Sequence, residues 1–334
     1  MFVRKRNFFL FTTLIISTLV FFAVDLAVGA TAVSLSDIFR TLTGDDVGIA
    51  GKILLNFRLP KAAVAVLAGM SLSVSGLQMQ TIFRNPLADP YVLGVSAGSG
   101  LGVALFIMGT SFLTSSSLLD FGVYPAAWLG SALVLIMILA VSTRIRDAMT
   151  VLILGVMFGG AASAAISILQ YFSSESNLKI YMIWTMGSLG AVASDKLPIM
   201  ILASLAGLIL SIFSIKPLNV LLLGETYARS AGVNVRLARN VVFLGTGILT
   251  GTITAFCGPI AFVGIAVPHI ARMIFRRADH KVLMPGVMLI GALMMLLCDI
   301  ISQTVKPGTT LPINSITSLL GIPVIIFVIM KYRS

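Results

Sequence analysis

The sequence predicts an all-α polytopic membrane protein of about ten transmembrane helices, and three observations predict it. The 334 residues are 58% hydrophobic and only 10% charged, against the ~25% charged residues usual in soluble domains. The mean hydropathy is +1.05. The apolar runs are continuous and do not alternate with polar residues, which excludes a β-barrel. At ~20 residues per span plus short loops the chain has room for about ten helices. No polar stretch reaches domain size, so residues 1–334 form a single membrane domain.

Apolar runs bounded by charges, Pro and Gly place the spans at 8–30, 61–83, 91–110, 124–143, 149–171, 197–214, 240–257, 260–275, 284–301 and 313–330. The first run follows Arg4, Lys5 and Arg6, is long for a cleaved signal, and carries Asp25 near its end. It reads as a span that starts in the cytoplasm. Strict alternation then leaves both termini in the cytoplasm. Segments assigned to the inside hold 16 of the 23 basic residues, and the outside segments hold 7, as the positive-inside rule requires. The net charge of +11 follows from this topology and does not call for nucleic acid. Cys257 and Cys298 lie in apolar runs and read as small core residues.

Four connections stand out. Residues 31–59 form an outside segment whose SLSDIFRTL stretch, from Ser34, reads as a short surface helix. Residues 173–194 form a second outside piece with Trp184 at the interface. Residues 302–312 carry a Lys306-Pro307-Gly308 turn signal. The longest inside loop, 215–239, reads as two short helices: an apolar run up to Leu223, a break at Gly224, a helical turn from Glu225 through Ala228, and a C-cap at Gly232. Such a piece suits docking into a partner's groove or lying on the membrane surface.

The connection between the second and third spans, RNPLADP, is a polar turn. Pro86 biases Asn85 away from helical dihedrals. Arg84 suits the end of a helix. Asp89 is an N-cap, with Pro90 at the first helical position. Gly94, Gly98 and Gly102 then recur every four residues, which presents one helical face without side chains to another backbone.

The chain carries no engine of its own. Its nearest approach to a phosphate loop, Gly51-Lys52-Ile53, has Asp46 and Ile53 where Gly and Ser or Thr belong. Asp25 and Asp299 are acids inside predicted spans, both near outer ends. His269 admits either a proton relay or a hydrogen-bonded packing role. The fifth span is rich in small residues, among them Gly159, Gly160, Ser163 and Ser167, which either let helices pack or leave space.

Several motifs then combine: RLPK from Arg58 to Lys61, LAGMSLSVSGLQMQ from Leu67, RNPLADPYVLGVSAGSG from Arg84, WTMGSLG from Trp184, LGETYARSAGV from Leu223, FCGPIAFVGIAVPHIAR from Phe256, and LPINSITSLLGIPV from Leu311. Together they resemble the FecCD-type permeases, the membrane subunits of type II ABC importers for iron–siderophore complexes, haem and cobalamin. The resemblance implies a non-catalytic permease of the bacterial cytoplasmic membrane, with no cofactor of its own. It further implies assembly with a second permease copy, two ABC ATPase subunits and a periplasmic or lipoprotein substrate-binding protein. Within it Leu223, Gly224, Glu225, Ala228 and Gly232 are the ATPase-coupling residues, and Arg58 and Lys61 are the basic pair that meets the binding protein. Gly159, Gly160, Ser163 and Ser167 line a path at the dimer axis. The chain departs from the family pattern at Gln303, where Arg is frequent, at Thr310 and Asn314, where the family often has an acid and a Gly, and at Lys61, where Arg is usual.

Overall fold

A computed structural model describes the chain except residues 1, 30–35, 37–39, 42, 44–47, 110–121, 146, 306–308 and 334. The surface helix expected from Ser34 and the Lys306-Pro307-Gly308 turn therefore fall largely or wholly outside the described residues. The elements are α1 (Phe2–Ala27), α2 (Ile49–Ile82), a 3-10 turn (Pro90–Leu93), α3 (Val95–Ile107), α4 (Val123–Arg144), α5 (Ala148–Tyr171) and α6 (Glu175–Thr185). They continue with α7 (Leu197–Phe213), α8 (Ile215–Leu221), α9 (Glu225–Ser230), α10 (Val235–Cys257), α11 (Val263–Phe275), α12 (His280–Thr304) and α13 (Ile313–Arg333). Each of the ten intervals expected to span overlaps one of these helices. By length and apolarity α1, α2, α4, α5, α10 and α12 can each cross a membrane. α7 and α8 qualify as one span bent by 48°, and α3, α11 and α13 are shorter apolar helices.

α2 and α10 are the centre of the bundle, with most of their surface covered, whereas α1 and α5 lie at the periphery. α2 packs on α12, α11 and α10; α10 also packs on α4 and α7; α3 is held between α4 and α5; α1 runs along α12. Without water between helices, close packing is the main attraction between them, and it needs small residues. Glycines provide the close approaches. A Cβ on Gly69 would strike the backbone of Gly291 in α12, and one on Gly76 would strike Gly264 in α11.

The expected glycine face of the third span is present in part. Gly98 and Gly102 of α3 lie against the backbone of α4 at Gly130 and Ala126. Gly94 meets α4 only loosely, a Cβ there standing 3.5 Å from Val134. It precedes α3 with φ 75, ends the 3-10 turn, and approaches the Gly155 carbonyl of α5 most closely. The turn after Asp89 winds as 3-10 before α3 begins, so the every-four spacing at Gly94 reflects a left-handed cap, where only Gly is unstrained.

α2 contains a π-helical turn at Leu54–Arg58. Pro60 follows it and has no N–H to give to the Asn56 carbonyl. The Ser194 hydroxyl donates to that carbonyl instead, at 2.9 Å. Residues 173–194 are also more ordered than a bare connection. α6 begins behind Ser174, whose hydroxyl accepts from the Asn177 amide, and Tyr181 stacks on Trp184. Cys257 and Cys298 are buried and free, as expected of core residues.

Candidate functional site

The RNPLADP turn lies at one end of the bundle and is locked by its own side chains. Arg84 has φ 46 and stops α2. The Asn85 carboxamide accepts from the Leu87 amide at 2.9 Å. Asp89 accepts from the Tyr91 amide at 2.8 Å and so caps the 3-10 turn, with Pro90 at its first position. Burial pushes the Asp89 carboxyl up to about 6, against the pull of the Tyr91 amide. His269 of α11 is hydrogen-bonded to the Pro86 carbonyl at 2.8 Å. Of its two expected roles, the structure thus places it in the hydrogen-bonded packing one.

α8 and α9 form the expected pair of short helices. Gly224 (φ 116) separates them and Gly232 (φ 80) follows α9, both in the left-handed region that favours Gly. The Val233 amide returns to the Ala228 carbonyl at 2.9 Å, closing α9, and Asn234 caps α10 through the Leu237 amide. Ala228 is fully buried beneath this hairpin, while Leu223 and Tyr227 are 66% and 55% exposed. Glu225 pairs with Arg229 at 3.2 Å across one helical turn. Apolar side chains thus stand in the open on a short helix that is anchored from below.

The hairpin and the turn are neighbours. A Cβ on Gly224 would lie 3.6 Å from the Arg84 guanidinium. Between them opens a cavity of about 740 Å³, bordered by Phe83 and Arg84 from the turn, Asp147 and Met149 at the start of α5, and Leu223 to Tyr227. Asp147 caps α5, and the hydroxyl and amide of Thr150 hold its carboxyl below the usual range. The hairpin expected to couple to an ATPase and the Arg84 turn, expected separately, are brought together at one face, where Leu223, Gly224 and Glu225 border the shared cavity.

At the opposite end, Arg58 and Lys61, the basic pair expected to meet a binding protein, both have partners within the chain. Arg58 is buried and its guanidinium donates to the carbonyls of Leu26 and Ala27, at 2.7 and 2.9 Å. A cation there satisfies the otherwise unpaired carbonyls at the end of α1. Lys61 lies 2.8 Å from Asp299, a pair 17% and 2% exposed. Gln303 donates to both Asp25 (3.2 Å) and Asp299 (3.0 Å). The neutral amide at the first departure therefore bridges two carboxylates. Lys61 and Asp299 border a second cavity of about 660 Å³, together with Ser188 to Ser194 and Thr310. Asn314, another departure, accepts from the Ala261 amide at 3.0 Å and so fastens the start of α13 to the segment before α11.

The path residues lie on peripheral α5. Gly160, Ser163 and Ser167 are exposed, Gly159 is half-buried, and nothing stands within 4 Å of a Cβ built on Gly160. A Cβ on Gly159 would meet Ala97 only at 3.8 Å, in contrast to Gly155 one turn earlier, which lies tight against Val92 and Leu93.

The sequence reading missed a set of polar side chains near the Arg84 end of α2. Gln80 accepts from Arg272 of α11 at 2.6 Å. Thr81 meets His280 of α12 at 2.9 Å, and His280 meets Asn219 of α8 at 2.8 Å. Gln78 joins Ser214 and Thr246. The signal was present as two glutamines and a threonine at the end of a span that also carries Ser71, Ser73 and Ser75.

Residues 16–331 match the model of the FecCD transport family. The chain is 37% identical over 306 residues to the hemin transport system permease protein HmuU of Yersinia pestis, covering 91% of this chain and 90% of that protein. It is 36% identical over 290 residues to the vitamin B12 import system permease protein BtuC of Salmonella typhi, covering 86% and 87%. Its fold is similar to that of a metal-chelate-type ABC transporter in an inward-facing conformation, with a TM-score of 0.84, 28% identity, and 97% and 99% of the two chains covered.

Proposed function

The chain belongs to the FecCD transport family, and from that premise we propose that it carries a bulky metal chelate of the haem or iron–siderophore class through the cytoplasmic membrane. It is a multi-pass ABC permease. Cobalamin is the second substrate reading, since a relative nearly as similar is a vitamin B12 permease. The observation that carries the transport reading is the joining of α9 to the RNPLADP turn around one 740 Å³ cavity. An anchored short helix with exposed Tyr227, preceded by exposed Leu223, is suited to seat in a groove of a separate ATPase.

In this reading the chain makes ten passes with both termini in the cytoplasm, and two copies pair along α5. Gly159, Gly160, Ser163 and Ser167 then border the path at the dimer axis. Two ATPase subunits take Leu223, Gly224, Glu225, Ala228 and Gly232 at the Arg84 face. ATP binding draws the two α9 helices together and switches the pair between inward- and outward-open packings. This works only because the ATPase binds the two states with different affinity. A substrate-binding protein docks at the Lys61 face, where Lys61 is held by Asp299 until an acidic group of the partner competes for it. Arg58, engaged with α1, shapes that face from beneath.

The test is reconstitution with the ATPase subunit and binding protein in proteoliposomes, with hemin, a ferric siderophore and cyanocobalamin offered separately. ATP-dependent uptake of hemin or of the ferric siderophore supports the first reading, and uptake of cyanocobalamin alone supports the second. Uptake driven by an ion gradient without ATP would overturn both.

A further inference from the structure

α7 and α8 meet at Ser214 with a bend of 48°. Ser214 is almost wholly buried, as are Gln78 of α2 and Thr246 of α10. The three form a directed chain. The Thr246 hydroxyl donates to the Gln78 carboxamide oxygen at 3.1 Å, and the Gln78 amide donates to the Ser214 hydroxyl at 2.9 Å. That hydroxyl donates to the Ser211 carbonyl at 2.6 Å. A glutamine amide in an apolar bundle is costly unless both its ends are bonded, and here both are. α8 is gripped again five residues further on. Asn219 donates to Asp279 at 2.6 Å and meets His280, whose other ring nitrogen meets Thr81, one turn beyond Gln78 on α2. A single central helix thus holds both ends of the segment that leads into α9.

We propose that Gln78 is a positioning residue for coupling: through Ser214 it fixes the α7–α8 bend, so that a displacement of α9 is passed to α2 and α10 instead of being absorbed at the bend. The inference rests on the ABC-permease reading above. Buried polar ties of this kind determine which of several packings is adopted more than they determine how strongly the helices hold together. A bend without its tie lets α9 and α8 follow the ATPase while the core stays behind. Gln78→Met preserves length and volume while removing both hydrogen bonds. Ser214→Ala removes one partner, and Ser214→Thr keeps the hydroxyl.

The test measures molecules transported per ATP hydrolysed, in proteoliposomes holding the full transporter, with whichever of hemin, a ferric siderophore or cyanocobalamin the wild type takes up. The expected result is a fall of about tenfold in that ratio for Gln78→Met, the order of two lost hydrogen bonds. A smaller fall is expected for Ser214→Ala, with recovery in Ser214→Thr. A merely structural role would lower transport and hydrolysis in proportion, so an unchanged ratio in both Gln78→Met and Ser214→Ala overturns the inference, whether or not total activity drops. A wild-type complex that takes up none of hemin, a ferric siderophore and cyanocobalamin with ATP overturns the transport reading itself, before any variant is compared, and this inference with it.

Discussion

The Lys61 ammonium lies 2.8 Å from the Asp299 carboxylate, and Asp299 is only 2% exposed. A carboxylate enclosed in this way depends on its partner, because one charge removed from a buried pair leaves the other uncompensated. Lys61→Met is therefore expected to cost about 3–5 kcal/mol, read as a lowered melting temperature in detergent. The double variant Lys61→Met with Asp299→Leu should recover most of the loss. A single variant as stable as the wild type would show that the pair is not needed for the fold.

Gly98 and Gly160 make opposite predictions although both sit in small-residue stretches. A Cβ on Gly98 would stand 2.5 Å from the Gly130 carbonyl and 2.6 Å from Val134, so Gly98→Ala should destabilise by about 1–3 kcal/mol through overpacking. A Cβ on Gly160 meets nothing within 4 Å. Gly160→Ala should gain about 0.5–1 kcal/mol from the stiffer helix. Thermal unfolding of the two variants side by side checks this. Gly160→Trp should melt like the wild type yet fail in uptake, because it obstructs the path between two copies.

Asp89 gives a pH dependence whose sign can be worked out. Its folded value of about 6 lies above the ordinary 3.8, so the folded protein keeps a proton that the unfolded chain has lost. Its contribution to stability is fully present below about pH 4 and is lost as pH rises to about 6, a change of up to about 3 kcal/mol. Asp89→Asn retains an oxygen to accept from the Tyr91 amide and does not titrate. The variant should be more stable than the wild type at pH 7 and equal to it near pH 4. Asp89→Ala loses the cap and should cost about 1 kcal/mol at pH 4. Melting curves at the two pH values decide it.

Leu223 and Tyr227 are open to solvent in the isolated chain, so Leu223→Asp and Tyr227→Asp should leave its melting temperature within a few degrees of the wild type. Co-purification with the ATPase subunit should be lost in both, since a charge placed in a groove of apolar contacts is costly to desolvate. Retention of the ATPase by both variants would move the interface elsewhere.

The helices were legible in the sequence because each apolar run is long and is stopped by residues with defined roles: Arg84 and Pro86, the cap Asp89, and the Gly224 break. The five residues expected to couple to an ATPase were legible as one group for the same reason, since they are neighbours along the chain. The inward contacts of Arg58 were not legible, because a basic residue beside a membrane span has the same local pattern whether it faces water or caps a helix. Arg239 is a second case, buried and donating to the Ser142 and Ile145 carbonyls at the end of α4. Gln78, Ser214 and Thr246 were passed over because their partners are 136 and 168 positions away, and local patterns hold no record of such distances.

By itself the sequence determined that this chain is a bundle of membrane helices of the FecCD type, because hydropathy, caps and turn residues act within one or two helical turns. Only the tertiary structure decided which helices form the centre, which small residues hold a close contact and which stand open, and which basic groups turn inward. Those outcomes depend on the burial of each group by elements distant in the sequence. In a bundle apolar throughout, no difference between faces announces that burial in advance.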